Sequence, residues 1–215
     1  MIVQWACKGF AKMDARVARN ILANGEGIRC RGWLAFDPKP FPLGRHLKRL
    51  TEQNLDLHVN NYSYPDPATG VPFYQTTPFI SLAAGCVERD TLLRANVTYS
   101  ALRTAFEFAT TDYSQHLRTR CSGWVIYCYV LVGVNRAVAI QSVAEEYREL
   151  NHARAYSQWY RQGEIAAKIN IPSNQIPCAV HWKLDPITGD FHLDDILINT
   201  GFTHPAAVLD ERNML

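Results

Sequence analysis

The run from Gly123 to Gly133 constrains the fold of this chain more than its other stretches do. Between the two glycines stand Trp-Val-Ile-Tyr-Cys-Tyr-Val-Leu-Val, which are apolar on both faces of an extended backbone. β-Branched and aromatic side chains favour a strand, and a strand that is apolar on both faces belongs in the interior of a sheet. The run therefore predicts a central, buried strand.

The composition is that of a globular chain with one domain. Hydrophobic residues make up 47% of the 215 residues, which is enough for a substantial core and excludes intrinsic disorder. We expect a single domain over 1–215, with residues 205–215 as a tail. The formal net charge of +2 neither requires nor excludes a nucleic-acid partner.

The cysteines and the N-terminus indicate where such a chain would work. The six cysteines form no Cys-x-x-Cys pair and the seven histidines no pair with ligand spacing, so we expect buried thiols, structural or exposed histidines and no metal. The first residues do not resemble a signal peptide, and no apolar run is long enough to span a membrane. These features predict a cytoplasmic protein, in the cell that makes it or in a target cell.

The periodicity of the remaining chain predicts an α+β fold. Apolar residues at helical spacing predict three helices: 12–23, 43–54 and 100–110. The capping-box sequence Ser142-Val143-Ala144-Glu145 predicts a fourth helix that runs towards Tyr156. Short apolar or alternating runs predict three further strands: 27–34, 75–85 and 165–171. The segments Val180–Lys183 and Phe191–Ile198 predict a closing hairpin around Asp185–Asp190.

The sequence Gln162-Gly163-Glu164 is a candidate functional centre. Gly163 allows a tight turn or a positive φ angle. The residues up to Ile171 then alternate as in a half-buried strand. Because alternate residues of an extended chain share a face, Gln162 and Glu164 would point the same way. A carboxamide beside a carboxylate suits a substrate that carries hydroxyl or amino groups.

Polar residues stand at the ends or edges of three predicted strands in a set order: Arg29 or Arg31, then Ser81, then Gln162 with Glu164. In this order the chain resembles the mono-ADP-ribosyltransferases of the cholera-toxin and pierisin type. Their signature is an arginine on a first strand, an aromatic-x-Ser-Thr-Ser strand and a Gln/Glu-x-Glu turn. The resemblance extends over roughly residues 25–185, and the similar segments are Cys30–Gly32, Phe79–Ala83, Trp124–Val130, Gln162–Glu164 and Ile169–Ile176.

The chain departs from the family pattern at four points. Ser81-Leu82-Ala83 keeps only the first serine of Ser-Thr-Ser, and the interval from Ser81 to Glu164 is longer than usual. Two arginines compete for the first position, of which Arg31 is favoured because Gly32 follows it. Pro172-Ser173-Asn174 lacks the glycine pair of the family. A non-catalytic binding module with the same fold therefore stays open as an alternative.

The resemblance implies a split β-sandwich of two small sheets, flanked by helices, around an NAD+ cleft. NAD+ would be the substrate, and no metal would be needed. Glu164 would hydrogen-bond the ribose and stabilise the cation that forms there, while Ser81 would orient Glu164. Arg31, or else Arg29, would bind a phosphate or the adenosine ribose.

The acceptor side of the predicted site centres on Gln162, with Trp159 and Tyr160 stacking on the acceptor, covering the cleft or packing in the core. In the resembling family, Gln-x-Glu turns accompany asparagine, glutamine or guanine acceptors. The flanking segments are similar to those of pierisin, so we expect a nucleic-acid base as acceptor, in DNA or RNA, with the basic runs Arg45–Arg49 and Arg118–Arg120 helping to hold the polyanion. A protein side chain as acceptor and an NAD+ glycohydrolase are the alternatives. Such a toxin or effector would be restrained by an inhibitor protein, as in a toxin–antitoxin pair.

Overall fold

The computed structural model describes residues 2–35, 46–90, 95–114, 117–132, 145–146 and 163–205. The α-helices that lie completely within these ranges include α1 (Ala15–Leu22), α2 (Arg31–Ala35), α3 (Glu52–Asn60) and α4 (Ala101–Thr110). The first strands are β1 (Ile2–Ala11), β2 (Ile28–Arg29), β3 (Phe79–Ala83), β4 (Cys86–Asp90), β5 (Ala95–Tyr99), β6 (Thr111–Asp112) and β7 (Thr119–Arg120). The others are β8 (Gly123–Val132), β9 (Glu145–Glu146), β10 (Glu164–Lys168), β11 (Asn170–Ile171), β12 (Cys178–Leu184) and β13 (Phe191–Ile198). This combination confirms the predicted α+β class.

A seven-stranded antiparallel sheet, in the order β13-β12-β8-β1-β3-β10-β9, forms the centre of the described structure. The predicted central strand is confirmed as β8, whose Val125, Ile126 and Cys128 are fully buried. Its neighbours are β12 and the N-terminal strand β1, which pairs with β8 along its whole length. The local sequence pattern did not predict β1.

Helices cover both faces of this sheet. On one face, Ala18 and Leu22 of α1 pack in the main core with the alternate side chains of β8 and β10. On the other face, α4 packs Ala105 and Ala109 against β1 and β8, while α3 packs over β3 and β10. The strand after Gly163, predicted to be half-buried, is therefore covered on both faces, and even Lys168 is only 1% exposed.

The strands β10 and β11 are one stretch of chain divided between two sheets. Between them Ile169 has a φ of 64°, a left-handed conformation that β-branched residues rarely adopt. Its N–H donates to the carbonyl of Pro78 (2.7 Å), and its carbonyl accepts from the N–H of Cys30 (2.8 Å). Beyond this bend β11 pairs with β2, with Asn170 opposite Arg29. Ile169 thus connects the end of β10 with the segments that lead into β3 and α2.

The strand predicted over 27–34 is wrong beyond Arg29, because the chain turns into α2 at Arg31. Gly32 packs closely against the segment that precedes β3. Its N–H donates to the carbonyl of Thr77 (2.9 Å), and a Cβ on Gly32 would lie 2.4 Å from the carbonyl oxygen of Thr76. This close backbone approach, which the sequence pattern does not reveal, replaces the expected strand.

Two predicted helices differ from the structure. Of the helix predicted over 43–54, His46 and Leu47 are helical, the helix is interrupted over 48–51, and α3 begins at Glu52. Thr51 is the N-cap of α3 and accepts a hydrogen bond from Asn54 N–H (3.2 Å). Residues 43–45 lie outside the described residues. The helix predicted from Ser142 conflicts with Glu145–Glu146, which form β9 and pair with β10. The rest of that predicted helix also lies outside the described residues.

The other predicted elements are present with shifted ends. The helices 12–23 and 100–110 correspond to α1 and α4, the strand 75–85 to β3, and the closing hairpin to β12 and β13.

The cysteines whose side chains the structure describes are free thiols, as expected. Cys7, Cys30, Cys121 and Cys128 are buried, and Cys178 is half-buried. Of the helices in the described ranges, none has the length and apolar character needed to cross a membrane.

Candidate active site

Ser81 and Glu164 lie on the neighbouring strands β3 and β10, on the same face of the sheet. Ser81 is directly opposite Ala166, and Glu164 precedes Ala166 by two residues. Such diagonal neighbours are about 7 Å apart along the backbone, a distance that a glutamate side chain can bridge. Both side chains are half-buried. The register of the sheet therefore brings a carboxylate and a hydroxyl together at one place.

The turn before Glu164 requires a glycine. Gly163 has a φ of 59°, and a Cβ at this position would lie 2.4 Å from the carbonyl oxygen of Gly85. The carbonyl of Gly163 accepts a hydrogen bond from the N–H of Ala84 (2.9 Å), which extends the contact between β3 and β10. The turn before Glu164 is thus packed against and hydrogen-bonded to the segment that follows β3.

Strand β1 supplies a lysine that the sequence analysis overlooked. Lys8 follows the point at which β1 meets β3, and its Nζ donates to the carbonyl of Ser81 at 2.8 Å. Desolvation lowers the pKa of Lys8 to about 8; Glu164 counteracts this effect, and Arg31 reinforces it. The ammonium group is therefore within electrostatic range of both the predicted glutamate and the predicted arginine.

The two arginines proposed for the first position have different surroundings. Arg31 is exposed at the start of α2. Desolvation raises the pKa of the Tyr62 phenol, Arg31 opposes this rise, and Glu164 adds to it. Arg29 is half-buried, and its guanidinium lies 5.0 Å from the centroid of the Trp33 ring. Because Arg31 acts on the same phenol as Glu164, the surroundings favour Arg31 as the arginine of the site.

Helix α3 places His58 behind Ser81. The residue is 5% exposed, its Nε2 lies 3.0 Å from Ser81 Oγ, and its Nδ1 lies 2.9 Å from Thr77 Oγ1. Desolvation, with a smaller contribution from the charge of Lys8, lowers the pKa of His58 to about 3. The imidazole is therefore neutral near pH 7 and carries one N–H donor and one acceptor nitrogen.

The surroundings of Thr77 indicate which nitrogen of His58 carries the hydrogen. Thr77 is 0% exposed, and its hydroxyl oxygen accepts a hydrogen bond from Phe79 N–H (3.2 Å). A buried hydroxyl hydrogen needs an acceptor, and Nδ1 of His58 is in place to accept it. We therefore assign the hydrogen of the ring to Nε2, which donates to Ser81 Oγ. The hydroxyl hydrogen of Ser81 is then directed away from His58.

The structure brings three of the predicted site residues into one region: Arg31, Ser81 and Glu164. Arg29 instead lies over the Trp33 ring and opposite Asn170. Three further predicted residues lie outside the described residues: Gln162, Trp159 and Tyr160. Within the described ranges, no group of three or more His, Cys, Asp or Glu side chains is arranged to hold a metal ion.

Lys8 and His58 are the residues of this region that the sequence analysis missed. Lys8 is the one charged residue in an otherwise largely apolar N-terminal run, which is a signal that a lysine has a specific task. His58 lies at helical spacing from Leu55 and next to Val59, both of which are buried. The pattern of α3 could therefore have indicated a buried histidine, although not its contact with Ser81.

The basic runs have mixed surroundings. In the first run, Arg45 lies outside the described residues, and the guanidinium of Arg49 forms an ion pair with the buried Asp66. In the second run, Arg118 and Arg120 are exposed, with their guanidinium groups over the rings of Tyr113 and Phe191. Arg49 therefore has a structural task, whereas Arg118 and Arg120 remain accessible to a polyanion.

Comparisons with known proteins do not identify a family. No family model matches the chain, and no curated protein matches it. Among solved structures, the chain is similar to one named EcPltA, with 13% sequence identity and a TM-score of 0.47, over 94% of this chain and 89% of that chain. A likeness of this degree carries no argument about fold or activity. The function has to be argued from the residues of the site.

Proposed function

We propose that this protein is a mono-ADP-ribosyltransferase that cleaves NAD+ and transfers ADP-ribose to a macromolecule, with a nucleic-acid base as the preferred acceptor. One observation carries the proposal: Glu164 lies beside Ser81 on the next strand and within electrostatic range of Lys8, which Arg31 also influences. A carboxylate suits the place where a sugar becomes cationic, and cations suit the place where a diphosphate binds.

The proposed reaction breaks the bond between C1 of the ribose and the nicotinamide nitrogen. The electron pair of that bond leaves with nicotinamide, which departs as a neutral molecule, and the ribose passes through an oxocarbenium-like transition state. Glu164 would accept a hydrogen bond from a ribose hydroxyl and stabilise the positive charge. A nitrogen or oxygen of the acceptor then bonds to C1 and loses its proton to solvent.

The other residues of the site would bind and orient. An ammonium group has three hydrogens to donate, so Lys8 could bind a phosphate oxygen while it keeps its bond to the Ser81 carbonyl. Arg31 would add a forked contact to the same diphosphate. Because His58 donates to its oxygen, Ser81 would direct its own hydrogen to the carboxylate of Glu164 and hold that carboxylate in place.

The finer fold that we propose is the split β-sandwich of the ADP-ribosyltransferases. Its support is the bend at Ile169, where the chain passes from the seven-stranded sheet to the small sheet of β11 and β2. The cleft would then lie between the segment that carries Arg31 and the strand that begins with Glu164.

The choice of acceptor rests on the Gln162-Gly163-Glu164 turn and on accessible positive charge. Gln162 carries an amide, which can both donate to and accept from the edge of a base. Arg118 and Arg120 are exposed and could contact phosphates of DNA or RNA. Arg49 is excluded from this task because its guanidinium is paired with Asp66.

Labelled NAD+ tests the proposal when it is incubated with the purified protein and a cell lysate that is afterwards separated into nucleic-acid and protein fractions. We expect label in the nucleic-acid fraction, and at least about a hundredfold less with Glu164→Gln, the loss typical of one transition-state contact. Replacement of the exposed Glu26 by glutamine is the matched control and should leave the labelling unchanged.

The distribution of label separates the alternatives. Label on protein would move the acceptor to a side chain, and free ADP-ribose without labelled macromolecule would favour a glycohydrolase. Intact NAD+ with every fraction supplied would refute the proposal and leave a non-catalytic binding module. For an active toxin, we expect expression of the wild type to arrest growth, Glu164→Gln to relieve the arrest, and an inhibitor protein to be needed by the producer.

A further inference from the structure

Exposed tyrosines border the candidate site in the loop between α3 and β3. Tyr62, Tyr64 and Tyr74 are 44%, 60% and 41% exposed. The rings of Tyr62 and Tyr74 are neighbours, with centroids 5.8 Å apart and an interplanar angle of 47°. The two neighbouring rings thus form one exposed aromatic surface.

The loop holds these rings on a fixed backbone. The N–H of Tyr74 donates to the carbonyl of Tyr62 at 2.9 Å, and the N–H of Phe73 donates to the carbonyl of Tyr64 at 2.8 Å. Phe73 itself is 0% exposed and anchors the returning segment in the interior. The two tyrosines that touch each other are therefore held together by their own main chains.

A buried carboxylate fixes the far end of the same loop. Asp66 is 1% exposed, and it accepts hydrogen bonds from the guanidinium of Arg49, from the hydroxyl of Thr76 and from the N–H of Ala68 (2.9 Å). Each of these partners belongs to a different part of the loop or to the segment before α3. The exposed rings are thus presented by a preorganised loop, which reduces the entropy lost when a ligand binds.

The tyrosine surface is continuous with the candidate site. The ring of His58 meets the ring of Tyr62 edge-on, with centroids 5.3 Å apart and an interplanar angle of 85°. The charges of Arg31 and Glu164 both act on the Tyr62 phenol. Contacts through His58 thus connect Ser81 with the ring of Tyr62, and Tyr62 in turn contacts Tyr74.

We propose that Tyr62 and Tyr74 form a stacking surface for the heteroaromatic ring of a nucleotide whose phosphates are held by Lys8 and Arg31. The ring can belong to NAD+ or to a nucleic-acid acceptor, since both carry a flat base next to phosphate. Aromatic side chains bind every base through its flat face, and neighbouring cations select a ligand that also carries negative charge. This inference rests on the proposed function and specifies which side of the site takes the ring.

Titration calorimetry with three separate probes tests the proposal: nicotinamide mononucleotide, AMP and GMP. For a probe that stacks here, we expect Tyr62→Leu to weaken binding by about five- to 150-fold, the range for loss of one base–aromatic stack. Tyr74→Leu should weaken the same probe, whereas Tyr62→Phe, which keeps the ring, should stay within about twofold. The probe that responds identifies whether the nicotinamide, an adenine or an acceptor guanine occupies the surface.

Tyr113→Leu is the matched control, because Tyr113 is similarly exposed but packs on Phe108 and Arg118, outside the candidate site. It should leave the affinity for all three probes unchanged. Binding of no probe to the wild type, or affinities that both leucine variants leave intact, would overturn the stacking surface. Probe binding that depends on the tyrosines, without NAD+ cleavage, would support the stacking surface and refute the proposed function. NAD+ cleavage that neither tyrosine substitution changes would support the proposed function and refute the stacking surface.

Discussion

His58 should make the protein sensitive to mild acid. In the folded chain, desolvation and the charge of Lys8 lower the pKa of this imidazole to about 3, compared with an ordinary value of 6.5. Between these two values the unfolded chain binds a proton that the folded chain rejects. The free energy of unfolding therefore falls as the pH decreases from 6.5 towards 3. Above pH 6.5 His58 causes no such loss of stability.

The size of the effect follows from the difference between the two pKa values. Each pH unit inside this window costs about 1.4 kcal/mol, because one group titrates in the unfolded state alone. At about pH 4.5 the loss relative to neutral pH is therefore about 3 kcal/mol. A domain is typically stable by about 5–15 kcal/mol, so the midpoint of unfolding should shift visibly.

Urea unfolding followed by tryptophan fluorescence, near pH 7 and near pH 4.5, measures this loss. In His58→Gln, which cannot titrate, the decrease in unfolding free energy between the two conditions should be smaller by about 3 kcal/mol. His192→Gln, which removes an imidazole at an exposed position of β13, is the matched control.

An equal loss of stability in acid by His58→Gln and by the wild type would contradict a depressed pKa of His58. Imidazole resonances of His58 that titrate near their ordinary value in the folded protein would contradict it as well. Nitrogen-15 spectra of the same imidazole check the assigned tautomer, since they distinguish a ring protonated on Nε2 from one protonated on Nδ1.

Three further predictions concern the backbone and the charges of the site. Because desolvation lowers the pKa of Lys8 to about 8, the lysine loses its charge above that pH and the KM for NAD+ should rise. Lys8→Arg, which stays charged, should abolish the rise, and a pH profile of KM identical to that of the wild type would contradict this. Gly163→Ala should lower the free energy of unfolding, measured in urea, by more than about 2 kcal/mol. Gly70→Ala is the control, because Gly70 has a similar φ of 74° but open space around its Cβ position, and it should cost only about 1–2 kcal/mol. Equal costs would disprove the clash with Gly85. Ser81→Ala should lower kcat for NAD+ cleavage about tenfold, as expected for one lost hydrogen bond to a charged group, and a change confined to KM would argue against a positioning role.

The central strand could be predicted from sequence because its residues are apolar on both faces. The residues from Trp124 to Val132 are therefore suited to a strand that is covered on both sides of the sheet. The neighbouring strand β1 could not be predicted in the same way, because Gln4, Lys8 and Gly9 interrupt its apolar pattern. Its extended conformation depends on pairing with β8, and pairing between such distant segments leaves little trace in local periodicity.

The candidate site was predictable where it depends on a turn and a register, and not where it depends on packing. The glycine before Glu164 indicated the turn, and the resemblance to the mono-ADP-ribosyltransferases pointed to Ser81 as the neighbour of Glu164. Arg31 begins a helix whose next residue, Gly32, contacts the segment before β3, and local sequence does not encode this contact. His58 reaches Ser81 only because α3 packs on that face of the sheet.

The bend at Ile169 means that the three parts of the proposed catalytic centre share one hinge point. Both main-chain polar groups of this residue are engaged, one with the segment entering β3 and the other with the segment entering α2, while β10 ends directly before it. Loosening this point would displace the serine, the arginine and the glutamate relative to one another in a single step. Inactivating substitutions should therefore arise at this interior position, which touches no substrate, as readily as at the residues that do.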